Sequence, residues 1–205
     1  MVVRDLAKVE ARVRFPYPAP FFLVSHSGEF RCAVLESPRP TPMLAYLCGP
    51  IEFADDGGKL WRRKLTPFLR DQLGHHVYDP AEDERKNLSG EEAAHFREWK
   101  KQDLERYRRA VRKIIAFDLD LIEHKADYLI CYWEAVATQS GGTPAELTFA
   151  HRKGIPVYLV TPLPVEQISG WLLGCSDQVF SSIESLKEFL GARFAREKQT
   201  QLWKD

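Results

Sequence analysis

Nowhere does the sequence run apolar for the roughly eighteen residues that a membrane-spanning helix needs. Its first ten residues include Arg4, Asp5, Lys8 and Glu10, with no apolar core of the kind that directs secretion. Cysteine is sparse and scattered: Cys32, Cys48, Cys131 and Cys175 offer no CxxC pair, which excludes a zinc knuckle or a dithiol redox centre of that type. Cys48 and Cys131 lie in apolar runs, where a reduced cysteine is expected to pack as a small hydrophobe. These absences predict a reduced, cytoplasmic protein with no membrane partner. Neither sign of charge is in excess, with 29 Lys+Arg against 29 Asp+Glu. That balance argues against a protein built to coat nucleic acid. It leaves room for a small phosphorylated ligand, which needs only a few local donors. Internal repeats and low-complexity tracts are absent as well.

What is present suffices for an ordinary core: 44% of the 205 residues are hydrophobic and 12% aromatic. Residues 1–43 stand apart. Phe21–Val24 and Cys32–Leu35 are strand-like runs separated by Ser25-His26-Ser27-Gly28, which predicts a β-hairpin extension. Pro38, Pro40 and Pro42 then form a stiff linker. From residue 44 strands and helices alternate. Strands are expected at Leu44–Cys48, His76–Tyr78, Tyr128–Tyr132, Pro156–Val160 and Val179–Phe180. Helices are expected over Leu60–Leu73, most of 91–124, Pro144–Arg152, Val165–Leu173 and Ile183–Leu190, leaving 191–205 as a tail.

Such alternation predicts an α/β doubly wound domain, Rossmann-like or flavodoxin-like, with a five-stranded parallel sheet over residues 44–190. In the common 2-1-3-4-5 strand order, ligands bind beyond the carboxyl ends of the first and third strands. The segments following Cys48 and Tyr132 should therefore border a pocket.

Chemistry-bearing residues fall in those two places. Ser140-Gly141-Gly142-Thr143-Pro144-Ala145-Glu146 opens a helix: the glycines permit close backbone approach, Thr143 can cap, and Pro144 suits the first turn. Free N–H groups and the helix dipole there suit a phosphate, and would favour an ionised Glu146 in the first turn. Taken alone, Glu146 reads first as a capping-box partner of the Thr143 backbone. Ser140 alone is a turn residue, Tyr46 alone a core tyrosine, and Gly49-Pro50 alone a turn.

Together these segments are more specific. Tyr46-Leu47-Cys48-Gly49-Pro50-Ile51, an Asp-Leu pair before the third strand, and Ser140-x-Gly142-x-x-x-Glu146 after it resemble the nucleoside 2-deoxyribosyltransferase superfamily. Within it the chain is most similar to the 2'-deoxynucleoside 5'-monophosphate N-glycosidases and the related CMP hydrolases. The resemblance spans roughly residues 44–190. It implies cleavage of an N-glycosidic bond through a covalent glycosyl-enzyme, with Glu146 as nucleophile and Tyr46 orienting it. Gly49, Pro50 and Ile51 would border base and sugar, and Ser140, Gly142 and Thr143 a 5'-phosphate. Serine at position 140 matches the monophosphate hydrolases, whereas transferases acting on free nucleosides carry aspartate there. An acid that assists departure of the base is implied in the stretch Phe117-Asp118-Leu119-Asp120-Leu121. Asp118 matches if one loop residue is extra, with Asp120 the alternative. No metal and no organic cofactor are implied. The expected partner is a nucleoside or nucleotide, and the expected state a homodimer or higher homo-oligomer. Base exchange on free deoxynucleosides, or a nucleotide sensor without turnover, are the competing readings.

Other features read as structural. His75-His76 looks like a loop end, and Asp55-Asp56-Gly57-Gly58 lacks the remaining ligands of a calcium loop. The basic run Arg106, Arg108, Arg109, Arg112, Lys113 reads as a solvated helix face. Trp61 reads as a packing residue, and Trp133, at the end of the third strand, as either a packing residue or a stacking platform for a base.

Overall fold

The fold comes from a computed structural model that describes residues 42–83 and 85–202, with side chains as far as Ala195. The expected N-terminal hairpin and most of the proline linker lie outside the described residues.

Five short runs rich in β-branched and aromatic residues form one parallel sheet: β1 (Leu44–Cys48), β2 (His76–Tyr78), β3 (Tyr128–Tyr132), β4 (Val157–Val160) and β5 (Gln178–Phe180). Their order is β2-β1-β3-β4-β5, all neighbours parallel. Each crossover carries helix, as parallel pairing requires: α1 (Lys59–Pro67), α2 (Gly90–Gln102), α3 (Leu104–His124), α4 (Gly142–Lys153), α5 (Gly170–Cys175), and after β5 a final α6 (Ile183–Leu202). The doubly wound α/β architecture is the one the alternating pattern predicts.

Side chains alternate across the strands, so each face gets its own core. Tyr46, Cys48, Leu129, Cys131, Val157 and Leu159 pack with Ile122 of α3, Leu147 of α4 and Leu172 of α5. Ala45, Leu47, Tyr128, Ile130, Tyr158 and Val160 pack on the other face with Leu65 of α1 and Leu186 of α6. Burying a side chain such as Leu47 or Ile130 completely contributes roughly 1.5–3 kcal/mol. The two apolar layers, not the exposed ion pairs, therefore hold the sheet.

Several boundaries differ from the sequence expectation, each for a local reason. The first helix loses regular α geometry at Pro67, which lacks an N–H, and continues as a π turn over Phe68–Gln72. The long 91–124 helix is two helices. Asp103 breaks out of helical geometry and accepts from the Arg106 N–H at 2.9 Å, capping α3. Around Val165–Leu173 a 3₁₀ turn at Val165–Gln167 precedes a separate α5, whose N-cap is Ser169. The last helix continues past Leu190 to Leu202.

One buried cation organises the loop after β1. Arg62 of α1 is fully buried, donating from Nη1 to Gly58 O at 2.7 Å and from Nη2 to Gly49 O at 3.2 Å and Leu47 O at 3.3 Å. Its Nε lies 3.1 Å from Asp79 Oδ1, at the end of β2. Gly58 is left-handed at φ 70, and a Cβ there would sit 2.1 Å from Pro50 O, so only glycine fits. Arg62→Ala would leave Asp79 buried without its cation and strand several carbonyls. The expected loss is about 3–5 kcal/mol, read as a lower midpoint in urea unfolding at unchanged slope. A midpoint unchanged within error would show that solvent readily replaces the guanidinium.

Candidate active site

The switch point of the sheet lies between β1 and β3, and α4 starts just beyond the carboxyl end of β3. Because β1 side chains alternate, Tyr46 and Cys48 both face α4. The Tyr46 hydroxyl donates to Glu146 Oε1 at 2.8 Å, and the Cys48 thiol donates to Glu146 Oε2 at 2.9 Å. One strand thus supplies a donor to each oxygen of one carboxylate. Burial pushes the Tyr46 hydroxyl and the Cys48 thiol well above their ordinary pKa, with the Glu146 charge adding to both. Both stay protonated at neutral pH and act as donors.

The helix that carries Glu146 begins at Gly142, which places the glutamate in the second turn rather than the first. Two expectations change as a result. Its carboxylate does not close a capping box, since both oxygens are held by β1, while the Thr143 N–H lies 3.4 Å from Ser140 Oγ. Nor does the helix dipole dominate its ionisation. Burial raises its pKa, opposed by the two donors and by Lys86, while the nearby Asp118 adds to the rise. Thr143 makes no cap of its own; it is buried in α4, with its Oγ1 3.2 Å from Ser140 Oγ.

Asp118 comes to the same place from α3. It is buried, and accepts from Lys86 Nζ at 2.8 Å. The Tyr78 hydroxyl sits 3.4 Å from Asp118 Oδ1 and 3.2 Å from Asp83 Oδ2, so its single proton serves one of them at a time. The Tyr78 ring packs beside Tyr46 at a centroid distance of 5.2 Å. Burial raises the Asp118 pKa, with Lys86 and Tyr78 opposing. Asp120 points the other way on the same helix, its side chain 67% exposed and 3.6 Å from His124.

The other expected residues are distributed as follows. Gly49 and Pro50 are buried, and Ile51 is partly exposed. A Cβ on Gly49 would stand 3.1 Å from both the Trp61 ring and Tyr132 O, so this glycine serves close packing of the loop. Nothing lies within 4 Å of where a Cβ would be on Gly141 or Gly142, so the start of α4 opens on free space.

Sequence reasoning missed Cys48 as a donor, reading it as a small hydrophobe, and missed Tyr78, Asp83 and Lys86 altogether. The period-2 spacing of Tyr46 and Cys48 was the available clue for the first. His75 is not a surface loop end. It is buried, with Nδ1 2.7 Å from the Tyr128 hydroxyl, while the neighbouring His76 is exposed. Asp56 caps α1 by accepting from the Gly58 and Leu60 N–H groups, and Asp127 accepts from the Leu44 N–H at 2.6 Å, tying β3 to β1. Arg106, Arg108 and Lys113 form exposed ion pairs with glutamates, and Trp133 packs in the core.

A cavity of about 450 Å³ opens at the same edge of the sheet, lined by residues including Phe53, Asp56, Trp61, Tyr132 and Glu134. None of Tyr46, Asp118 or Glu146 lines it. Trp61, Tyr132 and Ile183 of its lining belong to the apolar layer on the other face of the sheet from Tyr46 and Cys48. Among the described residues no group of three or more histidines, cysteines or carboxylates is placed to hold a metal ion, and no helix is long and apolar enough to cross a membrane.

No protein-family model matches the sequence, and no curated protein matches it. Among solved structures the chain is similar to a 2-deoxyribosyltransferase from the psychrotolerant bacterium Bacillus psychrosaccharolyticus, at 20% identity and a TM-score of 0.49, over 70% of this chain and 90% of that one.

Proposed function

We propose that the protein is an enzyme of the nucleoside 2-deoxyribosyltransferase superfamily that hydrolyses the N-glycosidic bond of a nucleoside 5'-monophosphate, with Glu146 as nucleophile. The observation that carries this reading is the pair of donors on the two Glu146 oxygens, with the buried carboxylate of Asp118 close by. Two carboxylates in one buried site raise each other's proton affinity, which costs folding stability. A carboxylate kept only for structure is better satisfied by backbone N–H groups or an arginine. Grouped carboxylates in unlike surroundings suit acid and nucleophile roles instead.

In the first step a Glu146 oxygen forms a bond to the anomeric carbon as the C–N bond breaks, its electron pair passing to the base. Asp118 supplies a proton to that base. Water then adds at the anomeric carbon, the ester to Glu146 breaks, and the proton lost by water returns to Asp118. Tyr46 and Cys48 hold the carboxylate for in-line attack. Carboxylates and oriented donors are sufficient for this chemistry.

The decisive experiment incubates the protein with a panel of nucleosides and 5'-monophosphates and detects free base by chromatography. Release of base from monophosphates alone supports the proposal. Transfer of sugar to an added second base would favour base exchange, and binding without release a sensor. Light scattering tests the homo-oligomer that the same reading implies.

The phosphate reading rests on the open N-terminus of α4 and on Ser140 beside it. Ser140→Asp would set a negative charge against the substrate's phosphate, and is expected to raise KM for monophosphates roughly tenfold or more, with little change for free nucleosides. Steady-state kinetics on both substrate types checks this, and equal effects on the two would remove the phosphate from this helix end.

A further inference from the structure

Lys100 pairs with Glu52, and Lys113 with Glu92, through lysine side chains that are about half exposed. Lys86 differs. Its side chain is only 10% exposed and its ammonium lies 2.8 Å from Asp118 Oδ2, itself 9% exposed. It reaches there from the loop between β2 and α2, crossing 32 residues of sequence. The backbone that delivers it is unusual. Lys86 has φ 35 and Asn87 has φ 65, both in the left-handed region that non-glycine residues seldom occupy. Asp83 braces the turn, its Oδ1 accepting from the Arg85 and Lys86 N–H groups at 3.2 Å each. Strain of this kind persists where surrounding contacts over-determine it, and it clusters at functional sites.

We infer that Lys86 is a positioning residue for Asp118, so that the acid of the reaction is a Lys86–Asp118 pair rather than a lone carboxyl group. The inference rests on the glycosidase reading above and deepens it. The groups facing Asp118 are Lys86 and Asp83 from the loop, Tyr78 from β2, Tyr46 from β1 and Glu146 from α4. Two of these are carboxylates, and Lys86 is the cation in contact. Without it, the proton given to the departing base would leave Asp118 as a buried anion beside Asp83. With it, the newly formed carboxylate meets an ammonium already in place. The same carboxylate can then accept the proton released by attacking water, which completes the cycle with no net change at either residue.

Lys86→Gln and Lys86→Arg separate this role from a structural one. With a 5'-monophosphate substrate, Lys86→Gln is expected to lower kcat by roughly 10- to 100-fold, with KM changing less than about threefold. Removing an adjacent cation raises a carboxyl pKa. A group that must be protonated then stays competent to higher pH, so the alkaline limb of kcat moves up. Lys86→Arg keeps the charge and should return the limb toward its original position. An activity-independent measurement accompanies these: ¹³C NMR titration of the Asp118 carboxyl, expected to shift upward in Lys86→Gln. An unmoved Asp118 titration overturns the pairing, as does a raised KM with an unmoved pH limb, which would make Lys86 a substrate ligand. If the wild-type protein releases no base from any substrate while the Asp118 titration still shifts, the glycosidase reading fails and the pairing stands.

Discussion

Glu146→Ala is expected to abolish base release, lowering kcat by roughly four to six orders of magnitude, because the covalent route of the proposed mechanism disappears with its attacking oxygen. The fold should survive. The Glu146 carboxylate is held by side-chain contacts alone, and its removal frees the Tyr46 hydroxyl and the Cys48 thiol. Far-UV circular dichroism and a urea midpoint would establish that, and quenched-flow or long-incubation assays would measure the residual rate. Near-normal turnover by a folded Glu146→Ala protein would sink the assignment. Glu146→Gln should be about as inactive, since an amide of the same shape cannot serve as the nucleophile. Tyr46→Phe is the milder probe. It removes one donor to the carboxylate, which raises the Glu146 pKa further. The nucleophile must be ionised, so activity is lost as pH falls through that pKa. The wild-type acid limb therefore belongs above the ordinary glutamate range, because burial raises it, and should move higher still in Tyr46→Phe. A limb that stays put would show that the tyrosine does not govern this carboxylate.

The second large effect separates two aspartates that stand two residues apart on α3. Asp118→Asn should depress kcat by roughly 10²- to 10⁴-fold, the range associated with losing a general acid. Asp120→Asn should leave kcat and stability near wild type, because that side chain is exposed, with His124 one turn on as its ion-pair partner. Residues two apart on a helix differ by about 200° in direction, so one faces the site and the other faces solvent. A substrate whose base leaves readily without protonation should partly rescue Asp118→Asn while leaving Glu146→Ala inactive. That contrast separates acid from nucleophile. If Asp120→Asn proves to be the crippled variant, Asp118 is a structural carboxylate held by Lys86 and Tyr78, and the acid enters from elsewhere.

Much of the framework was readable because it rests on local periodicity. The short apolar runs Leu44–Cys48 and Tyr128–Tyr132, and the apolar spacing from Leu60 to Leu73, point directly to buried strands and an amphipathic helix. Gly74 and Gly154 mark the ends of helical segments, both at positive φ. Boundaries were less legible. Nothing in the periodicity of residues 91–124 distinguishes one bent helix from two, since the break depends on Asp103 choosing to cap rather than continue. Pro67 was visible, but the pattern around it does not distinguish a helix that stops there from one that passes into a π turn.

What the sequence determined by itself is the order of elements and their facing. Five strands that must each bury one or both sides, joined by helix-forming segments, leave parallel pairing with right-handed crossovers as the workable solution. The side-chain period of two then commits Tyr46 and Cys48 to one face. Tertiary structure decided the chemistry of that face. It brought Glu146 across 100 residues onto Tyr46, turned the Cys48 thiol from packing atom to donor, and selected Asp118 over Asp120 as the buried carboxylate. It also carried Lys86 in from a left-handed loop that no periodicity marks. The physical reason is range. Propensity and pattern act over a few residues along the chain, whereas burial and hydrogen bonding act between groups that only the folded sheet makes neighbours.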